Sequence, residues 1–248
     1  MYRLLDLFSG IGGFSLGLER SGGFKTVAFC EIDATCRRIL RQHWPEVKQY
    51  DDVRNITRQS LRMDGLSVSC ISAGFPCQDA SVANIGGKGT DGERTGLFSE
   101  VTRIAGDILP DLIILENVPN LLNRGFGDVL GALAKIGYDA EWECISAREM
   151  GFNHERDRIF IVAYPSGEGW KRPQPHYGVL SRAKAALSQY RDPSLGEWVG
   201  LVPSRAGCGD GDGLSIAMER RRLHAIGNAV VPQIPELIGR AIMEAEAA

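Results

Sequence analysis

The sequence predicts an α/β fold, a mostly parallel sheet covered by helices, and three observations carry that prediction. Short β-branched runs alternate with helix-length amphipathic stretches from the amino terminus to Tyr164. The first run leads straight into a glycine-rich turn, Asp6-Leu7-Phe8-Ser9-Gly10-Ile11-Gly12-Gly13. Two later runs end in reactive side chains, a thiol in Gly74-Phe75-Pro76-Cys77 and a carboxyl in Ile114-Leu115-Glu116. Open α/β sheets gather such groups at the carboxyl ends of their strands, so both side chains are expected to face one crevice.

Taken in order, the apolar runs place strands at Arg3 to Phe8, Lys25 to Ile32, Val68 to Ala73, Asp111 to Glu116, Ala140 to Ser146 and Arg158 to Tyr164. Between them, helical spacing covers Gly13 to Arg20, Ala34 to His43, Leu97 to Ile108 and Phe126 to Ile136. The stretch Asn84 to Thr95 is rich in glycine and charge and reads as a loop directly after Cys77, suited to closing over a substrate. From Pro165 onward, Pro173, Pro175, Pro193 and Pro203, with Gly207, Gly209, Gly211 and Gly213, break any long periodic element. The expected organisation is therefore a main domain over 1–164, a small irregular lobe over 165–219, and a segment over 220–248 that returns to the main domain. Order resumes at Glu219 to Ile226, and Ile234 to Glu246 has the pattern of a covering helix.

A chain of 248 residues holds one substantial core and little more. With 44% hydrophobic and 24% charged residues, the composition is that of an ordinary globular protein rather than a disordered chain. The longest apolar stretches, such as Ile159 to Tyr164, are strand-sized, far below the roughly 20 residues of a membrane helix. Asp6 interrupts the place where a secretory signal would need an apolar run. The expectation is a cytoplasmic protein without a membrane partner. The six cysteines form no CxxC pair and no cluster with metal-ligand spacing, so no metal is expected. Most lie in apolar surroundings, as small buried hydrophobes do, and only Cys77 stands in a polar turn, between Pro76 and Gln78.

Net charge is −3, but it is unevenly spread. Residues 1–147 carry 15 basic and 19 acidic side chains, residues 148–222 carry 12 and 9, and residues 223–248 carry 1 and 3. A basic middle segment inside an acidic chain fits a local nucleic-acid face as well as it fits scatter in surface charge. Trp170, Lys171, Arg172, Tyr177, Arg182, Lys184 and Arg191 mix aromatic and positive side chains there, with core packing as the competing explanation.

Strand, glycine turn, helix is an arrangement that receives phosphates or carboxylates, because glycine lets the backbone approach a ligand and the helix start offers unpaired N–H groups. A nicotinamide fingerprint would need glycine or alanine where this chain has Ser15. Glu31 ends the next strand about 20 residues past the turn, where acids bind ribose hydroxyls. Asp33 suits a helix cap better, and Asp52 is a weaker polar candidate.

In their order along the chain, the glycine turn, Gly74-Phe75-Pro76-Cys77-Gln78, Glu116-Asn117-Val118, and the late Gly227-Asn228-Ala229-Val230 resemble the cytosine-5 DNA methyltransferases, particularly compact phage and prophage enzymes. The resemblance spans Asp6 to Gln233. It implies a Rossmann-like methyltransferase fold, S-adenosylmethionine as cofactor, and double-stranded DNA as substrate, in a bacterial or phage-infected cell. It also implies that Phe8, Gly10, Ile11, Gly12, Glu31, Ile32, Asp52, Val53, Leu97, Asn228 and Val230 hold the cofactor, with Gly13 and Pro76 beside them. Cys77 becomes the nucleophile and Glu116 the acid at ring nitrogen 3. Arg156 and Arg158 match the two arginines of a Gln-x-Arg-x-Arg element, for the cytosine oxygen and a phosphate, with His154 in the glutamine's place. Gln78, Ser81, Lys171 and Arg172 are the expected DNA contacts.

The recognition region expected between Tyr164 and Arg220 is short, so the target is expected to be short or loosely specified. Relatives that methylate transfer RNA tend to carry a Cys-Phe-Thr tripeptide, which this chain lacks. A DNA-binding regulator with the same fold is the non-catalytic alternative. The chain is expected to act as a monomer, since no heptad or large apolar patch announces an interface.

Overall fold

The computed structural model describes residues 1–76, 97–150, 157–167, 178–187, 189–190 and 229–247. Seven strands form one sheet: β1 (Tyr2–Leu7), β2 (Phe24–Cys30), β3 (Lys48–Tyr50), β4 (Cys70–Gly74), β5 (Leu112–Asn117), β6 (Tyr138–Ser146) and β7 (Asp157–Pro165). Their spatial order is β3-β2-β1-β4-β5-β7-β6. All pairings from β3 to β5 are parallel, and β7 runs antiparallel to both β5 and β6. The sheet is thus mostly parallel, as expected, with one reversed strand. Successive strands step outward from β1 to β3, and then β4 starts again on the other side of β1. The carboxyl ends of β1 and β4 therefore flank the point where the winding reverses, which is where open α/β sheets leave a crevice.

Among the described residues the α-helices are α1 (Gly13–Arg20), α2 (Ala34–His43), α3 (Arg58–Met63), α4 (Leu97–Ile108), α5 (Phe126–Lys135), α6 (Val179–Leu187) and α7 (Gln233–Ala247). Side chains alternate across each strand, and the core divides accordingly. Leu5, Ile71, Ile113 and Ile161 face Val101, Ile104 and Ala105 of α4 and Val129 and Leu133 of α5. On the other face, Leu4, Cys70, Leu112, Ile114 and Val162 meet Phe14 and Leu18 of α1, Leu180 and Ala183 of α6, and Ile234, Ile238 and Ile242 of α7. Both faces are covered, which is why the central strands read as near-continuous apolar runs.

Strand β3 was not predicted, because three edge residues at half-exposed positions leave no pattern. Nor was α3, a six-residue helix started by a capping box between Thr57 and Ser60. The largest difference falls inside 165–219, expected to be irregular. Helix α6 docks on the sheet, burying Val179, Leu180, Ala183 and Leu187. Glu141 of β6 accepts hydrogen bonds from the N–H groups of Gly178 (2.7 Å) and Leu180 (3.1 Å), filling the start of that helix. Lys184 bonds Glu143 at 2.8 Å, and the Tyr190 hydroxyl donates to Glu236 of α7 at 2.9 Å. The expected element at Glu219 to Ile226 and the loop at Asn84 to Thr95 lie outside the described residues.

Helix α1 and the segment entering α7 approach backbone to backbone. A methyl group on Gly17 would stand 2.0 Å from the carbonyl oxygen of Pro232, and one on Gly13 would stand 2.2 Å from that of Val230. Neither carbonyl is the end of a flexible side chain, so the helices themselves would have to separate. Gly17→Ala is therefore expected to cost about 2–3 kcal/mol, the upper range for overpacking, and to lower Tm by roughly 5–10 °C. Gly131→Ala, in α5 with open space around it, serves as the control and should leave Tm unchanged or slightly higher. Equal melting temperatures for both variants in a thermal scan would contradict this packing.

Candidate active site

At the carboxyl end of β1 the chain turns sharply enough to put Phe8 into the left-handed region, with φ 54°, followed by Gly10 at 55° and Gly12 at 89°. A bulky residue there is strained, and such strain concentrates where backbone is shaped for a ligand. The Ser9 hydroxyl donates to the carbonyl of Asp6 at 2.6 Å, and the Ser9 N–H donates to the Cys30 carbonyl at 3.1 Å, so the turn is fastened to both β1 and β2. Helix α1 is preceded by Gly12, which supplies no side-chain cap, and of its first-turn N–H groups that of Ser15 bonds the buried Asp6 carboxylate.

Glu31, just past β2, faces this turn. Its Oε2 accepts from the Gly10 N–H at 2.8 Å and its Oε1 accepts from the Asp33 N–H at 2.7 Å, so the carboxylate is held in place with lone pairs to spare. Asp33 caps α2, accepting from Thr35 N–H at 2.6 Å, the role expected of it. The neighbouring Ile32 is 75% exposed, a bare apolar side chain beside a fixed carboxylate. Asp52 caps the short turn at Val53–Asn55, and its carboxylate is gripped by the Arg54 guanidinium at 2.8 Å, which lowers its pKa. Nothing in the sequence singled out Arg54. The Val53 side chain is buried in the core, whereas Leu97 opens α4 at a half-buried position.

The second half of the crevice lies one and two strands away. Gly74 of β4 stands opposite Glu116 of β5, so the strand that leads to Cys77 and the strand that carries the acid end level with each other. Glu116 is 8% exposed. Arg158 of β7 reaches across to it, Nε to Oε1 at 2.8 Å. A methyl group on Gly74 would come within 3.3 Å of Glu116 Oε2, a tight contact that glycine avoids. Asn117 is buried; its amide donates to the Phe75 carbonyl at 3.0 Å and its own oxygen accepts from the Val118 N–H. It therefore clamps the turn two residues before Cys77. Phe75 in turn packs against Phe98 of α4 with the rings tilted by 41°, centroids 4.8 Å apart.

Val230 joins the two halves. Its carbonyl crowds Gly13, while its side chain lies 3.9 Å from the position a methyl on Gly74 would take. The carboxyl-terminal segment thus returns to the same crevice. Pro76 is exposed at the end of the described stretch. Cys77, Gln78, Ser81, Arg156, Lys171, Arg172 and Asn228 lie outside the described residues. Of the four described cysteines, Cys30, Cys36 and Cys70 are buried and Cys144 half-buried, and none is in a disulfide. Burial, reinforced by the Glu31 charge, pushes the Cys30 thiol up to about 12, which keeps it protonated and inert.

Several kinds of known protein share this frame. The family model for C-5 cytosine-specific DNA methylases matches residues 2–197. The type II methyltransferase M.NgoBI of Neisseria gonorrhoeae is 30% identical over 241 residues, which cover 96% of this chain and 68% of that protein. M2.BsuMI of Bacillus subtilis is 36% identical over 169 residues, 65% of this chain and 41% of the relative. M.Bsp6I of a Bacillus species is 33% identical over 186 residues, 71% and 58% respectively. The matched part of this chain thus spans about half the length of these last two relatives. Among solved structures, a prophage-encoded E. coli protein described as a DNA modification methyltransferase aligns with a TM-score of 0.66 at 17% identity over 100% of both chains. The Entamoeba histolytica methyltransferase EhMeth aligns with a TM-score of 0.64 at 15% identity over 98% of both. At these identities the structural likeness speaks for the fold.

Proposed function

This chain belongs to the C-5 cytosine-specific DNA methylase family, and from that premise we propose that it methylates carbon 5 of cytosine in double-stranded DNA, with S-adenosylmethionine as donor. One observation carries the reading furthest: Glu116, fixed by Arg158, ends level with Gly74 on the strand that delivers Cys77.

Carbon 5 of cytosine is a poor nucleophile. Attack of the Cys77 thiolate on carbon 6 breaks the ring's aromaticity and makes carbon 5 an enamine carbon, turning one difficult step into easier ones. The attack pushes electron density toward ring nitrogen 3, where the Glu116 carboxyl hydrogen-bonds the base and stabilises the adduct. Arg158 engages Oε1, while Oε2 lies on the side of the carboxyl that faces Gly74. Asn117 holds the Phe75 carbonyl and with it the approach of Cys77. The cofactor, when bound, supplies an electrophilic methyl group. The crevice at β1 and β2 fits it: the uncapped α1 start suits its carboxylate, Glu31 its ribose hydroxyls, and the bare Ile32 its adenine. Loss of the carbon 5 proton and departure of Cys77 then regenerate the enzyme.

The target base lies inside a duplex, so it is extruded into the crevice, at a cost of a few kcal/mol of stacking and pairing. Gln78, Ser81, Lys171 and Arg172 are the side chains we assign to DNA contacts that offset it, with Arg156 and Arg158 at the cytosine oxygen and a nearby phosphate. We assign target recognition to 165–219, within which α6 packs its apolar side chains on the sheet. The monomer and the cytoplasm are the assigned state and place; among the described residues no helix is long and apolar enough to cross a membrane.

Glu31→Ala removes a carboxylate worth about 1.5–3 kcal/mol in charged hydrogen bonds, and is expected to raise the Kd for S-adenosylmethionine roughly 10- to 100-fold. Titration calorimetry checks this, and an unchanged Kd contradicts the placement of the cofactor. The function itself is tested by transfer of radiolabelled methyl groups to unmethylated duplex DNA and, in parallel, to transfer RNA. Label in DNA alone is expected; label in RNA alone, or in neither, contradicts the reading.

A further inference from the structure

One buried acid has no part in the chemistry above. Asp6 is fully buried, at the end of β1 directly before the glycine turn. Its Oδ2 accepts from the Ser15 hydroxyl in the first turns of α1 at 2.8 Å, and its Oδ1 from the Ser72 hydroxyl of β4 at 2.7 Å. Asp6 and Ser72 are paired across the two strands. The Asp6 carbonyl meanwhile holds the Ser9 hydroxyl inside the turn. Alternation along the strands puts Asp6, Ser72, Gly74, Glu116 and Arg158 on one face of the sheet, the face that α1 and α7 cover.

We propose that Asp6 is a positioning residue that couples the cofactor turn to the strand leading to the nucleophile, and that its charge state sets the affinity for S-adenosylmethionine. This rests on the assignment of the glycine turn to that cofactor. Asp6 ties three elements together: its carboxylate accepts from Ser15 of α1 and Ser72 of β4, and its backbone carbonyl accepts from Ser9 of the turn. Buried charge interacts strongly with a cationic ligand arriving nearby, and the cofactor carries a sulfonium. Burial pushes the Asp6 pKa from 3.8 up to about 7, against the lowering by Ser72 and Ser15, with the Glu31 charge adding to the rise. Asp6 therefore changes charge near neutral pH in the free protein.

The titratable groups on the surrounding elements are few. At the end of β2 stand Cys30 and Glu31, and on β4 Cys70. On α1, Glu19 is engaged by Trp44 and the Thr26 N–H, and on α7, Glu236 is engaged by Arg240 and Tyr190. Of these, Glu31 acts on Asp6 electrostatically. Because the folded-state pKa lies above the unfolded one, Asp6 favours the folded state at low pH. That contribution is lost as pH climbs from about 4 to about 7. A cationic cofactor that favours the ionised acid must, by linkage, bind more tightly as pH rises through the same upper range.

The experiment is calorimetric titration of S-adenosylmethionine into the full chain and into Asp6→Asn, Ser15→Ala and Ser72→Ala, between about pH 6 and about pH 8, with a melting curve for each. Wild-type affinity is expected to rise about fivefold or more across this range, and that of Asp6→Asn to stay flat once the cofactor's own titration, common to both, is divided out. Ser72→Ala, which removes one hydrogen bond to the carboxylate, should move the midpoint of the rise to higher pH; it carries the test even where Asp6→Asn fails to fold. Binding by Asp6→Asn that follows wild type at every pH, or a midpoint that Ser72→Ala leaves in place, overturns the coupling while leaving the cofactor assignment intact. No binding of S-adenosylmethionine by the wild-type protein overturns both.

Discussion

Cys77→Ser is expected to abolish methylation, with a loss of more than about 1,000-fold in rate. A thiol near neutral pH supplies an appreciable fraction of thiolate, whereas a serine hydroxyl supplies almost no alkoxide, so attack on carbon 6 fails at its first step. Substrate and cofactor binding should survive, because the glycine turn and Glu31 follow the ends of β1 and β2 rather than the end of β4. Duplex DNA carrying 5-fluorocytosine separates the chemistry from folding. Fluorine cannot leave carbon 5 as a cation, so the wild-type enzyme should remain covalently attached to such DNA on a denaturing gel. Cys77→Ser should give no attached species, and a variant that still forms one, or still methylates at the wild-type rate, would show that another group makes the attack.

Glu116→Gln comes second in expected size. Losing a positioned acid at the reacting ring is expected to lower the single-turnover rate by about 10²- to 10⁴-fold, while the Kd for S-adenosylmethionine changes little. The amide keeps a hydrogen bond to Arg158 but has no proton of carboxylic strength to offer nitrogen 3. Glu116→Ala goes further and strands Arg158, whose side chain is 22% exposed, without the partner it now holds at 2.8 Å. Its extra cost relative to glutamine should therefore show in Tm as well as in rate. Rapid-quench measurement of the first turnover decides the matter, and wild-type speed in Glu116→Gln would remove Glu116 from the mechanism.

What could be read from the chain follows from how local each signal is. Helices α1, α2 and α4 begin and end where their sequence patterns do, because glycine, Asp33 and apolar spacing act within a turn or two. Strands β1, β2, β4 and β5 were legible because burial on both faces makes them continuously apolar. The reversed direction of β7 was not, since nothing in Ile159 to Tyr164 states which neighbour it pairs with. Helix α6 was hidden by the prolines and glycines on either side, and what holds it is long-range: Glu141, about 40 residues earlier, accepts from the backbone at its start.

The candidate site divides in the same way. Glu31, Glu116 and the glycine turn sit in short motifs and were found directly. The pairing of Arg158 with Glu116 joins residues from two motifs and needed the antiparallel β5–β7 register. Asp6 was visible only as the first letter of the glycine run. Its hydrogen bond to Ser72 spans 66 positions in sequence, and neither serine carries any local mark of its partner. The grip of Arg54 on Asp52 is local, two residues apart, yet arginine beside aspartate on a surface is too common to single out.

Base-resolved mapping of 5-methylcytosine in unmethylated duplex DNA, after incubation with the purified chain and S-adenosylmethionine, detects the proposed product itself. Methyl groups are expected on carbon 5 of cytosine within a recurrent short sequence, and none when Cys77→Ser replaces the wild-type protein. Unmodified DNA, from a wild-type protein that binds the cofactor, would contradict the proposed activity.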